Sequence, residues 1–126
     1  MGQEDWETIA SRVIGAAIEV HKHLGPGWLE SAYAACLAIE LQHLGLAFER
    51  QKPLAIQYRG QAIDAAYRLD FVVAGQLILE LKSVDRFEPI HTAQTLTYLR
   101  LTGYKLALLL NFNVPLLRDG IKRVIL

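Results

Sequence analysis

Residues 104–112, YKLALLLNF, are apolar at odd and even positions alike over the length of a strand. Side chains alternate between the two faces of a strand, so a run of this kind has no face to offer to water and must be covered on both sides. The run LILELK, residues 77–82, has the same aliphatic character, except that Glu80 and Lys82 share one face while Leu77, Leu79 and Leu81 point to the other. Strands like these need a sheet with other elements packed on it.

The rest of the chain supplies those elements. From Asp5 to Leu24 the residues Trp6, Ile9, Ala10, Val13, Ala17, Val20 and Leu24 recur at helical spacing, and Gly25-Pro26 stops the pattern. A second helix is expected from about Trp28 to Leu44, ending at Gly45, with Tyr33, Leu37, Leu41 and Leu44 on one stripe. Alternating stretches on either side of Arg59-Gly60-Gln61 read as a strand pair, and Ala74-Gly75 turns the chain into LILELK, which makes a three-stranded antiparallel meander. A third helix begins at Pro89, carries Ile90, Ala93, Leu96 and Leu101 toward the core and ends at Gly103. After YKLALLLNF, an Asp119-Gly120 turn leads into a last strand, IKRVIL. The order predicts an α/β (α+β) fold with a mixed central sheet flanked by helices.

The 126 residues, 52% of them hydrophobic, are expected to form a single domain with a real core, and no apolar run is long enough to span a bilayer. The polar opening MGQEDWETIASRV lacks the basic-then-apolar order of a secretory signal, so a cytoplasmic location is the default expectation. Cys36, the single cysteine, excludes an intrachain disulfide and reads as a small core residue among Ala35, Leu37 and Ala38. His21 and His23, two residues apart on a helix, diverge by about 200° and read as surface residues rather than a metal pair. Thirteen basic residues against thirteen acidic give no global attraction for nucleic acid. Local positive charge for a phosphate backbone would have to come from Arg50, Lys52, Arg68 and Arg86.

Three acids stand at odd positions. Glu30 falls on the apolar stripe of the second helix, although an acid in the first turn also suits the helix dipole. Asp70 lies in YRLDFVV, where alternation puts Tyr67, Leu69, Phe71 and Val73 on one face and Arg68, Asp70 and Val72 on the other. Glu80 and Lys82 sit in a strand aliphatic on both faces, where an unpartnered charge costs several kcal/mol. An ion pair would compensate them, and so would a divalent cation, whose hard chemistry suits carboxylate oxygens. Strand register decides between the two. A two-residue loop at Ala74-Gly75 would place Asp70 opposite Leu79, whereas a three-residue loop, Ala74 to Gln76, pairs Val73 with Leu77 and brings Asp70 opposite Glu80. The second register is the expectation.

Asp70 followed across a hairpin by Glu80-Leu81-Lys82 resembles the PD-(D/E)xK nuclease superfamily. Gly27-Trp28-Leu29-Glu30-Ser31-Ala32-Tyr33 is similar to the signature of the small bacterial GxxExxY family assigned to it, and HTAQTLTYLRLTG and LLLNFN…LRDGIKRVIL resemble that family's later segments. The resemblance implies a restriction-endonuclease-like αβββαβ core and a nuclease that hydrolyses phosphodiester bonds of DNA or RNA. It further implies Mg²⁺, replaceable by Mn²⁺, held by Asp70, Glu80 and the Leu81 carbonyl. Glu30 would complete the acidic cluster from the helix, and Lys82 would orient or help deprotonate the attacking water. Gln94 and Tyr98 match a QxxxY element, four residues apart on one helix face, and His91 precedes them by a turn. Arg68, Arg86 and His91 are the candidates for nucleic-acid contact. Leu69 stands where the superfamily name has proline. The partner expected is nucleic acid, DNA in the first place, with no membrane, and a homodimer would suit the holding of a duplex. The competing reading is a nuclease-fold module that binds nucleic acid or a protein without cutting.

Overall fold

The computed structural model describes residues 4–126, apart from the side chain of Ala65; residues 1–3, the start of the polar opening segment, lie outside the described residues. Helix α1 spans Trp6–Leu24 and is capped by Asp5, whose carboxylate accepts the Thr8 amide at 2.8 Å. Helix α2 spans Glu30–His43, two residues shorter at its start than the apolar spacing suggests. Gly27, at φ 98°, and the buried Tyr33 account for the difference. The Tyr33 hydroxyl donates to the Gly25 carbonyl at 2.6 Å and accepts the Trp28 amide at 3.2 Å, which holds the corner extended up to Leu29.

Strands β1 (Phe48–Tyr58), β2 (Gln61–Val73) and β3 (Leu77–Lys82) form the expected meander. Helix α3 (Pro89–Thr102) then crosses to β4 (Leu106–Asn111), and a short 3-10 turn at Leu117–Gly120 leads to β5 (Ile121–Ile125). The five strands lie in the order β1-β2-β3-β4-β5, antiparallel except for β3 and β4, which the α3 crossover makes parallel. All six residues of β4 are buried, as an unbroken apolar run requires.

Two cores cover the two faces of the sheet. On one face α1 and α2 pack Val13, Ala17, Tyr33, Leu37 and Leu41 on Phe71, Val73, Leu77, Leu79, Leu81 and on Leu106, Leu108 and Leu110 of β4, with Phe112 stacked on Tyr33 at 4.4 Å. On the other, α3 sets Tyr98 and Leu99 against Leu69, Val72, Ile78, Ala107, Leu109 and Val124. The fold is the three-layer, restriction-endonuclease-like α/β arrangement.

Several local expectations are corrected. The inward stripe of α3 is Thr95, Tyr98 and Leu99; Ile90 and Leu101 are exposed, Ala93 is exposed and Leu96 only half-buried. The helix packs over the charged part of the sheet, so its inner face is partly polar and apolar spacing misplaces it. Leu44 caps α2 and is exposed. His21 is buried, its Nε2 2.8 Å from the Val114 carbonyl, whereas His23 lies on the surface. Cys36 is half-buried against the α1–α2 core.

The alternation in β2 is also broken. Leu69 and Val72 share the α3-side core, although an odd separation should put them on opposite faces, and Phe71 and Val73 lie in the other core. The break falls beside Asp70, where the β2–β3 ladder ends at Phe71↔Leu79. Across the hairpin Gln51 takes φ 51°, in the left-handed region that a residue with a Cβ seldom occupies.

Candidate active site

The hairpin between β2 and β3 has the three-residue loop Ala74-Gly75-Gln76, with Ala74 at φ 54° and Gly75 at φ 63°, and it pairs Val73 with Leu77. The expected register is the one formed. Where the ladder stops, side chains replace it. The Asp70 amide donates to Glu80 Oε2 at 2.8 Å, and the Leu81 amide donates to Asp70 Oδ2 at 2.8 Å. Each carboxylate therefore spends one oxygen on a backbone N–H of the other's neighbourhood and keeps a second.

Burial is the larger effect on both acids. Glu80 is buried, and burial together with the Asp70 charge pushes its carboxyl up to about 8, against the opposing pull of the Asp70 amide and Lys82. Glu30 adds a small upward push. The Asp70 carboxyl is likewise raised by burial, held back by the Leu81 amide, Lys82, Gln51 and Arg50. A hydrogen bond to a charged group contributes about 1.5–3 kcal/mol, less than the cost of two adjacent buried anions, so the pair in isolation retains a proton near neutrality.

Lys82 is half-buried and follows Glu80 on the same face of β3. Its carbonyl accepts the Phe112 amide at 3.0 Å. Asn111, buried opposite Lys82 in β4, holds the exit of the strand: its amide group donates to the Val84 carbonyl and its oxygen accepts the Val84 and Asn113 amides. Tyr98 reaches the acids from α3; burial and then the charges of Glu80 and Asp70 raise its hydroxyl to about 12, so it remains a neutral donor. Its ring meets Tyr67 edge-on at 5.5 Å. Gln94 lies one turn earlier and is half-buried.

The remaining sequence candidates stand further out. Glu30 is exposed at the first position of α2 rather than turned inward; only its charge reaches Glu80. Among the described residues no three His, Cys, Asp or Glu side chains converge closely enough to hold a metal ion. Arg86 is exposed and paired with Glu88 at 3.6 Å. His91 caps α3, its Nδ1 accepting the Glu88 amide at 3.0 Å. Arg68 is exposed on β2. Beside Asp70, Gln51 escapes a reading of the sequence, and Arg50, which the sequence offers only as a phosphate contact, enters the acid pair's field; both come in through the β1–β2 hairpin.

The donor set fits a hard cation. Glu80, buried, and Asp70, half-buried, each keep a carboxylate oxygen, and two such oxygens match an oxygen-liganded divalent ion whose other positions main-chain oxygen and water would fill. A family model for the PD-(D/E)XK nuclease superfamily matches residues 7–124. The chain belongs to that superfamily. Members of the superfamily are generally nucleases, with nucleic acid as substrate and a divalent metal as the typical cofactor of the group. No curated protein and no solved structure matches the chain. Among the described residues no helix is long and apolar enough to cross a membrane.

Proposed function

We propose that this superfamily member, of the GxxExxY type by its Gly27, Glu30 and Tyr33, is a Mg²⁺-dependent nuclease acting on DNA, with Asp70, Glu80 and the Leu81 carbonyl as the metal ligands. The observation that carries the reading is the interlocked pair itself: the buried Glu80 and half-buried Asp70 carboxylates side by side, held by the Asp70 and Leu81 amides, with a lysine next on the same face. A structural ion pair would need one acid and one base. Here a second acid raises the cost, and that cost is relieved when a cation replaces the retained proton.

When bound, the metal supplies Lewis-acid polarisation of the phosphate and a water of lowered pKa. The chain's own part is positional. The Lys82 ammonium, a compact charge on a flexible stem, orients the attacking water and faces the charge that develops on the phosphate. Tyr98 offers a neutral O–H, and Gln94 an amide, from the α3 side. Glu30, exposed at the corner of α2, would complete the acidic cluster through its charge, which reaches Glu80. Mn²⁺ substitutes for Mg²⁺ because both take oxygen donors.

The test is cleavage of single- and double-stranded DNA and RNA with Mg²⁺ or Mn²⁺, beside Lys82→Ala and Glu80→Gln. The expected result is metal-dependent cutting that falls at least a hundredfold in both variants while the fold is retained. Equal cutting by Lys82→Ala sinks the assignment of this site, and no cutting by the wild type with any metal sinks the proposal and leaves a non-cutting binding module.

A further inference from the structure

The hairpin of β1 and β2 runs well past the rest of the sheet. β3 pairs with β2 only over Phe71–Val73, whereas β1 and β2 remain paired from Phe48↔Val73 out to Tyr58↔Gln61. From Arg50 to the Arg59-Gly60 turn the ribbon extends eight residues beyond its root, about 25 Å at 3.3 Å per residue. Its root is Asp70. The ribbon therefore projects from the part of the sheet that holds the acid pair.

Its two faces differ. Leu54 and Tyr67 pack toward the α3-side core, and alternation along β1 puts Ile56 and Tyr58 with them; Ile63 joins through its pairing with Ile56. The opposite face presents Pro53, Ala55 and Gln57 on β1 and Arg68 on β2, with Arg59 at the tip and Arg50 at the root above the Phe71 ring at 5.4 Å. Arg50, Arg59 and Arg68 are exposed, and none forms an ion pair with an acid among the described residues. Lys52 differs, being bound to Glu49 at 3.0 Å. Between residues 50 and 68 there are four basic side chains and one acid, Asp64, in a chain whose total charge is zero.

We infer that this ribbon is an arm that lies along the backbone of duplex DNA flanking the scissile bond and gauges the length of substrate on that side. The inference rests on the nuclease reading for its direction, but it is tested by binding alone. Three arginines along the ribbon against the single acid Asp64, which alternation puts on the Arg68 face, leave it locally positive, as contact with a phosphate backbone requires, although the register shift between Leu54 and Ile56 interrupts the ladder. The duplex is favoured over a single strand because the arginine face carries no exposed aromatic ring: Phe71 beneath Arg50 is buried, Tyr58 and Tyr67 are on the other side, and a single strand is held by stacking its bases. At 3.4 Å per base pair the arm covers roughly seven pairs.

The experiment is fluorescence anisotropy of the wild type and an Arg59→Ala, Arg68→Ala double variant in EDTA. The probes are duplexes of about 6 and 20 base pairs and a single strand of the longer length, over a range of salt. The wild type is expected to bind the long duplex better than the short one and better than the single strand. The variant is expected to lose at least tenfold on the long duplex, and its slope of log K against log salt should shrink by about two. An unchanged slope, preference for the single strand, or no duplex binding by the wild type overturns the arm. So does a double variant that alters self-association, measured by light scattering, while binding DNA normally, since the ribbon would then join copies of this chain. Duplex binding through the arm without cutting would remove the nuclease reading and leave the arm; cutting with a double variant that binds normally would do the reverse.

Discussion

At the scale of single residues, the acid pair makes the stability of the metal-free protein depend on pH in an unusual direction. An ion-paired carboxylate lowers its pKa on folding and stabilises at high pH. Glu80 does the opposite: its carboxyl rises from 4.5 to about 8, so the folded state binds the proton more tightly than the unfolded one. The stabilisation is fully present below pH 4.5 and is lost as pH rises through 8. Asp70 shifts in the same direction. Urea unfolding in EDTA should therefore show stability falling by a few kcal/mol at most between pH 5 and 8. Glu80→Gln, which keeps the shape but carries no charge, should flatten that slope, and Mg²⁺ should restore stability to the wild type at pH 8 only. A wild-type profile flat from pH 5 to 8 would contradict the burial of two neighbouring acids.

At the scale of elements, the hairpin loop sets which face Asp70 occupies. Side chains alternate with a period of two, so shortening the loop by one residue turns the whole of one strand over relative to its partner. Deleting Gln76 should leave β3 in place, because β4 pairs with it along all six residues, and should shift β2 instead. Asp70 would then face Leu79. Metal binding, followed by calorimetry with Mn²⁺, is expected to vanish while the circular dichroism of the helices persists; unchanged metal binding would show that the register is not fixed by the loop. Much of this was legible in the residues. LILELK forced a strand with two charges, and three loop residues brought Asp70 to them. The kink beside Asp70 was not legible. Gln51 is an ordinary polar residue in FERQKPL, and nothing in its type announces a left-handed backbone. The face of α3 was misread for a related reason: Thr95 and Tyr98 are inward because the sheet beneath them is charged, which is a property of the partner and not of the helix.

At the scale of the whole molecule, two cores of unequal size grip the sheet's centre, and the outer ribbon lies beyond both. β3 and β4 are buried between helical layers, whereas among the described residues the ribbon past Leu54, residues 55–66, contributes none to either core. Hydrogen exchange should separate these parts: amides of β3 and β4 should exchange only with global unfolding, and those near the Arg59-Gly60 turn through local opening of much lower free energy. Similar protection in both would mean the ribbon is held by something besides its own ladder. Glu30 also belongs to this scale. Its place on a helical stripe suggested an inward side chain, but the end of α2 lies past the edge of the packed layers, so position on the stripe no longer implied burial.

The substitution of carboxylates for the last rungs of the β2–β3 ladder has one more consequence. The amide protons of Asp70 and Leu81 lie 2.8 Å, donor to acceptor, from the very groups proposed to take up a metal. Backbone amide resonances move with the charge of the acceptor they face. These two signals are thus resident spectroscopic probes, able to report in a silent, non-turning-over sample whether the acids hold a proton or a cation.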